Sequence, residues 1–261
     1  MGSNGMFTMD EFALTGRTAL VIGGTGGIGR EIALGYQAAG ATVLVAGRSQ
    51  DKLDAMAREL GGTGTPPLTY ATDVRAVDGL TALADRIGQD HGGIDLLVNC
   101  QGTTVIKPAV ELTEADYDTI LETNLKSVFF ACTTFAQRMQ RQGGGAIINI
   151  TSLAAHSGWA NAAAYGASKW GVAGITQSFA AEWGQSGLRV NAIAPGFFMT
   201  ELNREKMSDE RKAEARRRSA QQRMGDLSEL VGAAIFLGSD AARFVNGATL
   251  RVDGGYLASG I

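Results

Sequence analysis

The chain has 261 residues, 45% apolar and 19% charged, which suits one soluble α/β domain able to bury a core. Its formal net charge of −3, with acids and bases interspersed, excludes a global field suited to nucleic acid or an anionic membrane. Two cysteines outside any CxxC pair, and two histidines at no metal-ligand spacing, predict a reduced cytoplasmic setting and no metal site.

The amino terminus, MGSNGMFTMDEF, shows no leader pattern, no apolar run is long enough to span a bilayer, and residues 1–12 are set aside from the fold. Next come a strand-like run, RTALVIG (17–23), a helical pattern (27–39), ATVLVAG (41–47), a second helix (51–60) and a short loop, GGTGTPP (61–67). LTYATD (68–73), a helix (76–90), IDLLVN (94–99), a long helical pattern (113–140) and GAIINIT (145–151) follow. The last elements are a helix (164–184), LRVNAIA (188–194), a helix (227–238) and GATLRVDG (247–254). Most of the seven runs are nearly continuous in Val, Ile, Leu and Ala, as strands buried on both faces are. The βαβα alternation predicts a single α/β doubly wound domain spanning 1–261, with a seven-stranded, mostly parallel sheet and helices on both faces.

Residues 195–226 are too polar and too long for an ordinary connection, and read as a substrate lid. Its basic residues Arg211, Lys212, Arg216, Arg217, Arg218 and Arg223 are mixed with Asp209, Glu210 and Glu214, and read as a solvated helix face rather than an anion site.

Between the first strand and first helix lies GGTGGIGRE, Gly23 to Glu31. It contains both GxGxxG (Gly24, Gly26, Gly29) and GxxxGxG (Gly23, Gly27, Gly29). At that position a tight turn and free N–H groups at a helix start suit a dinucleotide pyrophosphate, giving a Rossmann-type site with Gly23, Thr25, Gly27, Ile28 and Gly29 against the cofactor. The second strand ends in VAGRSQDK, with no acid for a ribose diol and Arg48 for a 2′-phosphate, so NADP(H) is preferred, with NAD(H) as the alternative.

The stretch AAAYGASKWG places Tyr165 and Lys169 on one helix face, near Ser152 at the end of the fifth strand. A free tyrosine has a pKa of about 10, and bringing it near neutrality takes about 4 kcal/mol. An ammonium about 4 Å away supplies about that much at an effective dielectric of about 20. Tyr165 is thus the predicted general acid/base, Lys169 the group that tunes it, and Ser152, with no basic partner to make it a nucleophile, a holder of the substrate oxygen.

With these motifs in this order, the chain resembles the short-chain dehydrogenase/reductase family from about Phe12 to Ala258. The match runs through GGTGGIG, TDV, NCQG, NLKS, ITS, YGASK, NAIAPGFFMT and VDGG. The resemblance implies a catalytic set of Asn124, Ser152, Tyr165 and Lys169, in which Asn124 holds a water linking Lys169 to solvent and Lys169 also binds the nicotinamide ribose. It further implies Asp73 and Val74 beside the adenine, Asn99 and Gly102 along the cofactor, and Pro195, Gly196 and Thr200 at the nicotinamide end. The chain departs from the pattern at Ile22, where the family usually has threonine, and at Cys100 and Gln101, where NNAG has Asn-Ala.

The substrate pocket is expected among Gln101, Ala154, His156, Trp159, Asn161, Phe197, Phe198 and Met199, with His156 either binding an anion or hydroxyl or merely packed. The carboxyl-terminal half looks most like the branch containing gluconate 5-dehydrogenase and related sugar-acid or polyol oxidoreductases. That implies a ketone/secondary-alcohol oxidoreductase acting on a small keto-sugar or keto-acid. The alternatives are a 3-oxoacyl carrier-protein reductase and a non-catalytic nucleotide-binding protein. By the same resemblance the helices at 113–140 and 164–184 pair subunits into a homotetramer or homodimer.

Overall fold

The computed structural model describes residues 7–61, 68–200, 203–204 and 207–259. Its strands are β1 (Thr18–Ile22), β2 (Thr42–Gly47), β3 (Thr69–Ala71), β4 (Leu96–Asn99), β5 (Gly145–Ile150), β6 (Leu188–Pro195) and β7 (Thr249–Val252). They form one sheet in the order β3-β2-β1-β4-β5-β6-β7, and every neighbouring pair is parallel. The direction of strand addition reverses between β1 and β4, where Ile22 pairs with both Ala46 and Asn99. A crevice opens at the carboxyl ends of the strands at such a switch point.

The helices are α1 (Gly27–Ala38), α2 (Gln50–Glu59), α3 (Val77–His91), α4 (Glu114–Leu121), α5 (Ser127–Arg141), α6 (Ala163–Trp183), α7 (Asp209–Arg218) and α8 (Val231–Gly238). Alternate strand residues feed two cores, because side chains switch face at every step along a strand. Leu20 and Ile22 join Leu83 of α3, Phe135 of α5 and Phe179 of α6. Ala19 and Val21 join Ile32 of α1, Met56 of α2 and Leu237 of α8. This accounts for strands that are apolar throughout rather than alternating.

The structure differs from the sequence reading in several places. The helix expected at 113–140 starts with a capping box between Thr113 and Asp116, then breaks into a π-helical segment, Glu122–Lys126, before continuing as α5. Part of the terminus set aside is ordered on the domain: a 3₁₀ turn spans Met9–Phe12, Phe12 packs on Phe236 with ring centroids 6.2 Å apart, and Glu11 pairs with Arg243. The loop at 62–67, residues 1–6 and Glu201, Leu202, Glu205 and Lys206 of the lid lie outside the described residues.

The 195–226 segment carries α7, whose N-cap Ser208 accepts the Arg211 N–H, and includes a parallel bridge between Phe198 and Gly225. Arg217 pairs with Glu214, Arg223 with Glu229, and Arg218 lies 4.8 Å over the Tyr256 ring. These pairings give several of its cations local partners.

Candidate active site

A cleft of about 640 Å³ follows the carboxyl edge of the sheet from the glycine turn to Tyr165 and Lys169. At one end, α1 begins at Gly27 after an N-cap glycine, Gly26, that offers no side-chain cap, so its first N–H groups are left for a ligand rather than occupied by a capping side chain. A Cβ at Gly29 would lie 2.3 Å from the Gly23 carbonyl oxygen, so only glycine lets α1 approach β1 this closely. Gly27, with φ +52, supplies the left-handed bend that aims the helix at the cleft. These features fit a pyrophosphate.

Gly23, Thr25, Ile28, Arg48, Asp73, Val74, Gly102, Pro195, Gly196 and Thr200 all line the cleft. Arg48 is exposed at the end of β2 and is joined by Lys52 and Arg75, which sequence reasoning did not select. Arg75 makes a bidentate pair with Asp73, whose carboxyl it holds down at about 2. The rule that ligands collect at strand ends, applied to β3 as it was to β2, would have singled out Thr72 and Arg75. Thr103, Thr104, Thr123 and Asn203, which carry no motif signal, also line the cleft, as does Thr151 of ITS.

Asn99 departs from expectation. Its side chain is buried in the sheet, donating to Asn149 Oδ1 at 2.9 Å and to Cys132 Sγ at 3.3 Å, and does not line the cleft.

At the other end Ser152, Tyr165 and Lys169 converge. Ser152 Oγ accepts the Ala154 N–H at 3.2 Å, and its hydrogen bond to Tyr165 favours the phenolate. Burial outweighs that bond and pushes the Tyr165 hydroxyl above its ordinary value. The direct Lys169 tuning predicted from spacing is therefore not realised in the protein alone. Lys169 Nζ lies 5.9 Å from the Tyr165 ring centre and donates to the Ile150 carbonyl at 2.8 Å, while α6 packing holds it 4% exposed.

Burial pushes the Lys169 ammonium down to about 8, opposed by the neighbouring Cys100. The unfolded chain keeps that proton to about pH 10.4, so it binds more protons than the folded chain between the two values, and stability rises with pH there. Urea unfolding should show wild type gaining about 2 kcal/mol relative to Lys169→Met between about pH 7.5 and about pH 9.5. A pH-independent difference would contradict a charged, buried Lys169. Cys100 is itself pushed up to about 12 by burial, which keeps it a neutral thiol and not a nucleophile.

Asn124 sits in the π-helical segment, fully buried. Its Oδ1 accepts the Thr103 N–H at 2.7 Å, and its Nδ2 donates to the Thr103 carbonyl at 2.9 Å and to Ser168 Oγ at 3.1 Å. A Cβ on Gly102 would stand 3.6 Å from Asn124 Oδ1 and 3.7 Å from Lys169 Nζ, which places Asn124 beside the lysine.

The expected substrate residues do not form one wall. Gln101 lines the cleft, but its amide donates to Ser127 Oγ at 3.1 Å, inside the α5 packing. Ala154 is buried, and His156 is exposed beside Trp170, where partial desolvation and then Arg251 lower its imidazole pKa. Trp159 stacks on Phe197 with centroids 5.4 Å apart, and Phe197 in turn meets Tyr256 at 5.2 Å. Phe197 and Phe198 line a separate cavity of about 240 Å³ beside α7, with Ser219, Gln221 and Asp253. Asn161 has φ 63 and accepts the Lys107 N–H.

A family model described as enoyl-(acyl carrier protein) reductase matches residues 23–257. The D-threitol dehydrogenase of Mycolicibacterium smegmatis is 39% identical over 246 residues, covering 94% of this chain and 95% of that protein. This chain belongs to the short-chain dehydrogenase/reductase family.

Within the short-chain dehydrogenase/reductase family, the 2-dehydro-3-deoxy-D-gluconate 5-dehydrogenase of Escherichia coli is 38% identical over 252 residues, 96% of this chain and 99% of that protein. The structure of a gluconate 5-dehydrogenase from Burkholderia cenocepacia, in complex with NADP and tartrate, superposes with a TM-score of 0.90 at 35% identity, covering 96% of this chain and 99% of the other. The chain is accordingly an NAD(P)-dependent oxidoreductase of the short-chain dehydrogenase/reductase family. Among the described residues no helix is long and apolar enough to cross a membrane, and no cluster of three potential metal ligands occurs.

Proposed function

We propose that this enzyme interconverts a ketone and a secondary alcohol of a small sugar acid, keto-sugar or polyol, using NADP(H). The observation that carries the reading is the polarity of the cleft, which brings the cations Arg48 and Lys52, an uncapped helix start and the Ser152, Tyr165 and Lys169 group into one space. The relatives named for threitol and gluconate chemistry, and the NADP in the Burkholderia structure, support the same assignment. Bound nicotinamide supplies or accepts the hydride. Ser152 holds the carbonyl oxygen by hydrogen bonding, and Tyr165 donates its proton to that oxygen during reduction and takes it back during oxidation. Lys169 holds the ribose hydroxyls and, through a water held by Asn124, exchanges protons with solvent. The 195–226 segment covers the substrate, with Phe197 at its start stacked on Trp159.

The test is nicotinamide absorbance with NADPH and NADH against keto-sugars, keto-acids and a 3-oxoacyl thioester. NADPH consumption with the first two classes is expected, and Arg48→Glu should move the NADPH/NADH preference by about 100-fold or more, about 3 kcal/mol for the lost charge-assisted bonds and new repulsion. Turnover of the thioester alone would favour a carrier-protein reductase.

Oligomerisation is part of the same proposal. On α5, Phe129 is 37% exposed and packs on Phe130 and on Phe179 of the core beneath it. An exposed aromatic side chain on that helix suits burial against a second copy. Light scattering should give a dimer or tetramer mass; a monomer at micromolar concentration would reject it. A cytoplasmic location rests on the two free cysteines, and cell fractionation checks it.

A further inference from the structure

Gln101 stands where the family pattern NNAG has alanine, and neither the glycine turn nor the Tyr165 site accounts for it. It is 8% exposed, and its Oε1 is buried without a hydrogen-bond partner. A buried acceptor left unpaired costs stability that an apolar side chain would not, so the amide is held by its other end.

That end makes a specific connection. Gln101 Nε2 donates to Ser127 Oγ at 3.1 Å, and Ser127 Oγ donates to the Thr123 carbonyl at 2.6 Å. Thr123 lies within the π-helical segment Glu122–Lys126, and Ser127 follows it directly. A π segment is a helix carrying an extra residue, and nothing in the helix itself fixes where that residue sits. Moving the extra residue by one position would rotate Asn124 by about 100°, the angle per residue at 3.6 residues per turn. The position of Asn124 matters because its amide clamps Thr103 on one side and Ser168 of α6 on the other, and Ser168 Oγ donates to the Tyr165 carbonyl at 2.7 Å.

We propose that Gln101 is a positioning residue: through Ser127 it pins the π segment in register, so that Asn124 holds the Thr103 loop after β4 and the Tyr165–Lys169 helix together. Gln101 touches neither substrate nor the reacting proton in this role. The inference rests on the proposed function for its kinetic consequence but not for its structural one.

The experiment compares wild type, Gln101→Met, which keeps the side-chain volume without the amide, Ser127→Ala and the double variant. Amide hydrogen exchange should quicken in residues 122–127 in each variant, whatever the enzyme acts on. With the best substrate of the panel above, kcat should fall about tenfold in each single variant and no further in the double, as for groups acting through one link. The pH profile of kcat should move, while the NADPH dissociation constant, read from nicotinamide fluorescence, stays within about twofold. Unchanged exchange at 122–127 overturns the tether. Faster exchange with wild-type kcat and pH profile, or weaker NADPH binding with kcat intact, overturns the positioning role. Tyr165→Phe in the same assay separates this from failure of the functional reading: if that variant is as active as wild type, the acid/base assignment fails, and the exchange result still decides the tether.

Discussion

Tyr165→Phe lowers kcat by about 10³-fold or more and leaves the NADPH dissociation constant within about twofold, the expected result if Tyr165 is the group that moves the proton. The substitution removes one oxygen and its proton and keeps the ring that packs on the α6 side of the cleft. A binding residue would instead raise KM with kcat preserved. The pH dependence follows from the burial that pushes the Tyr165 hydroxyl upward. Ketone reduction uses the protonated phenol and should fall as pH rises through that value, whereas alcohol oxidation uses the phenolate and should rise over the same range. Since Lys169 does not pull the hydroxyl down in the protein alone, a positively charged oxidised nicotinamide beside Tyr165 would favour the phenolate, and alcohol oxidation should titrate at lower pH in the ternary complex than the free enzyme's tyrosine does. A Tyr165→Phe variant as active as wild type would sink the acid/base assignment, whereas wild type and variant both inactive with NADPH bound would favour a nucleotide-binding protein that does no such chemistry.

Gly29→Ala is expected to abolish cofactor binding and to lower thermal stability, because the added methyl would stand 2.3 Å from the Gly23 carbonyl oxygen and 2.9 Å from its carbon. Neither atom belongs to a flexible side chain, so relief requires α1 to shift away from β1. Overpacking of this kind costs about 1–3 kcal/mol, and the shift carries the first N–H groups of α1 away from the phosphates they would bind. Calorimetric titration with NADPH and a thermal melt read the two effects separately. Gly26→Ala is the contrasting variant, since no atom lies within 4 Å of a Cβ there and its φ of −175 is ordinary extended backbone. It should melt within a few degrees of wild type, and a Gly29→Ala protein that binds NADPH as wild type does would contradict the close-packing argument.

The parallel sheet was legible because β1, β4 and β5 are apolar without alternation, which happens only when helices cover both faces. The glycine turn was legible because its spacing fell between a strand and a helix. Both signals are local: they depend on residues adjacent in the chain and on backbone geometry that any sequence of that pattern must adopt. Asn99 was misplaced because position along a strand says where a residue lies but not which way a polar side chain finds its partner; Asn149 and Cys132 come from β5 and α5. The π segment was missed for a related reason, as ETNLK has ordinary helical composition and its bulge is held by bonds to Gln101 and Thr103, more than twenty residues away. Arg75 escaped because its pairing with Asp73 is exposed and carries no motif.

By itself the amino-acid sequence determined the layers, the strand count, the family and the helix face shared by Tyr165 and Lys169, all consequences of periodicity and short-range geometry. Tertiary structure decided the electrostatics. Spacing put the Lys169 ammonium within reach of Tyr165, but in the folded protein it turns to the Ile150 carbonyl, and burial moves both groups toward their neutral forms. Desolvation is set by everything packed around a group, and no stretch of chain contains that information about itself.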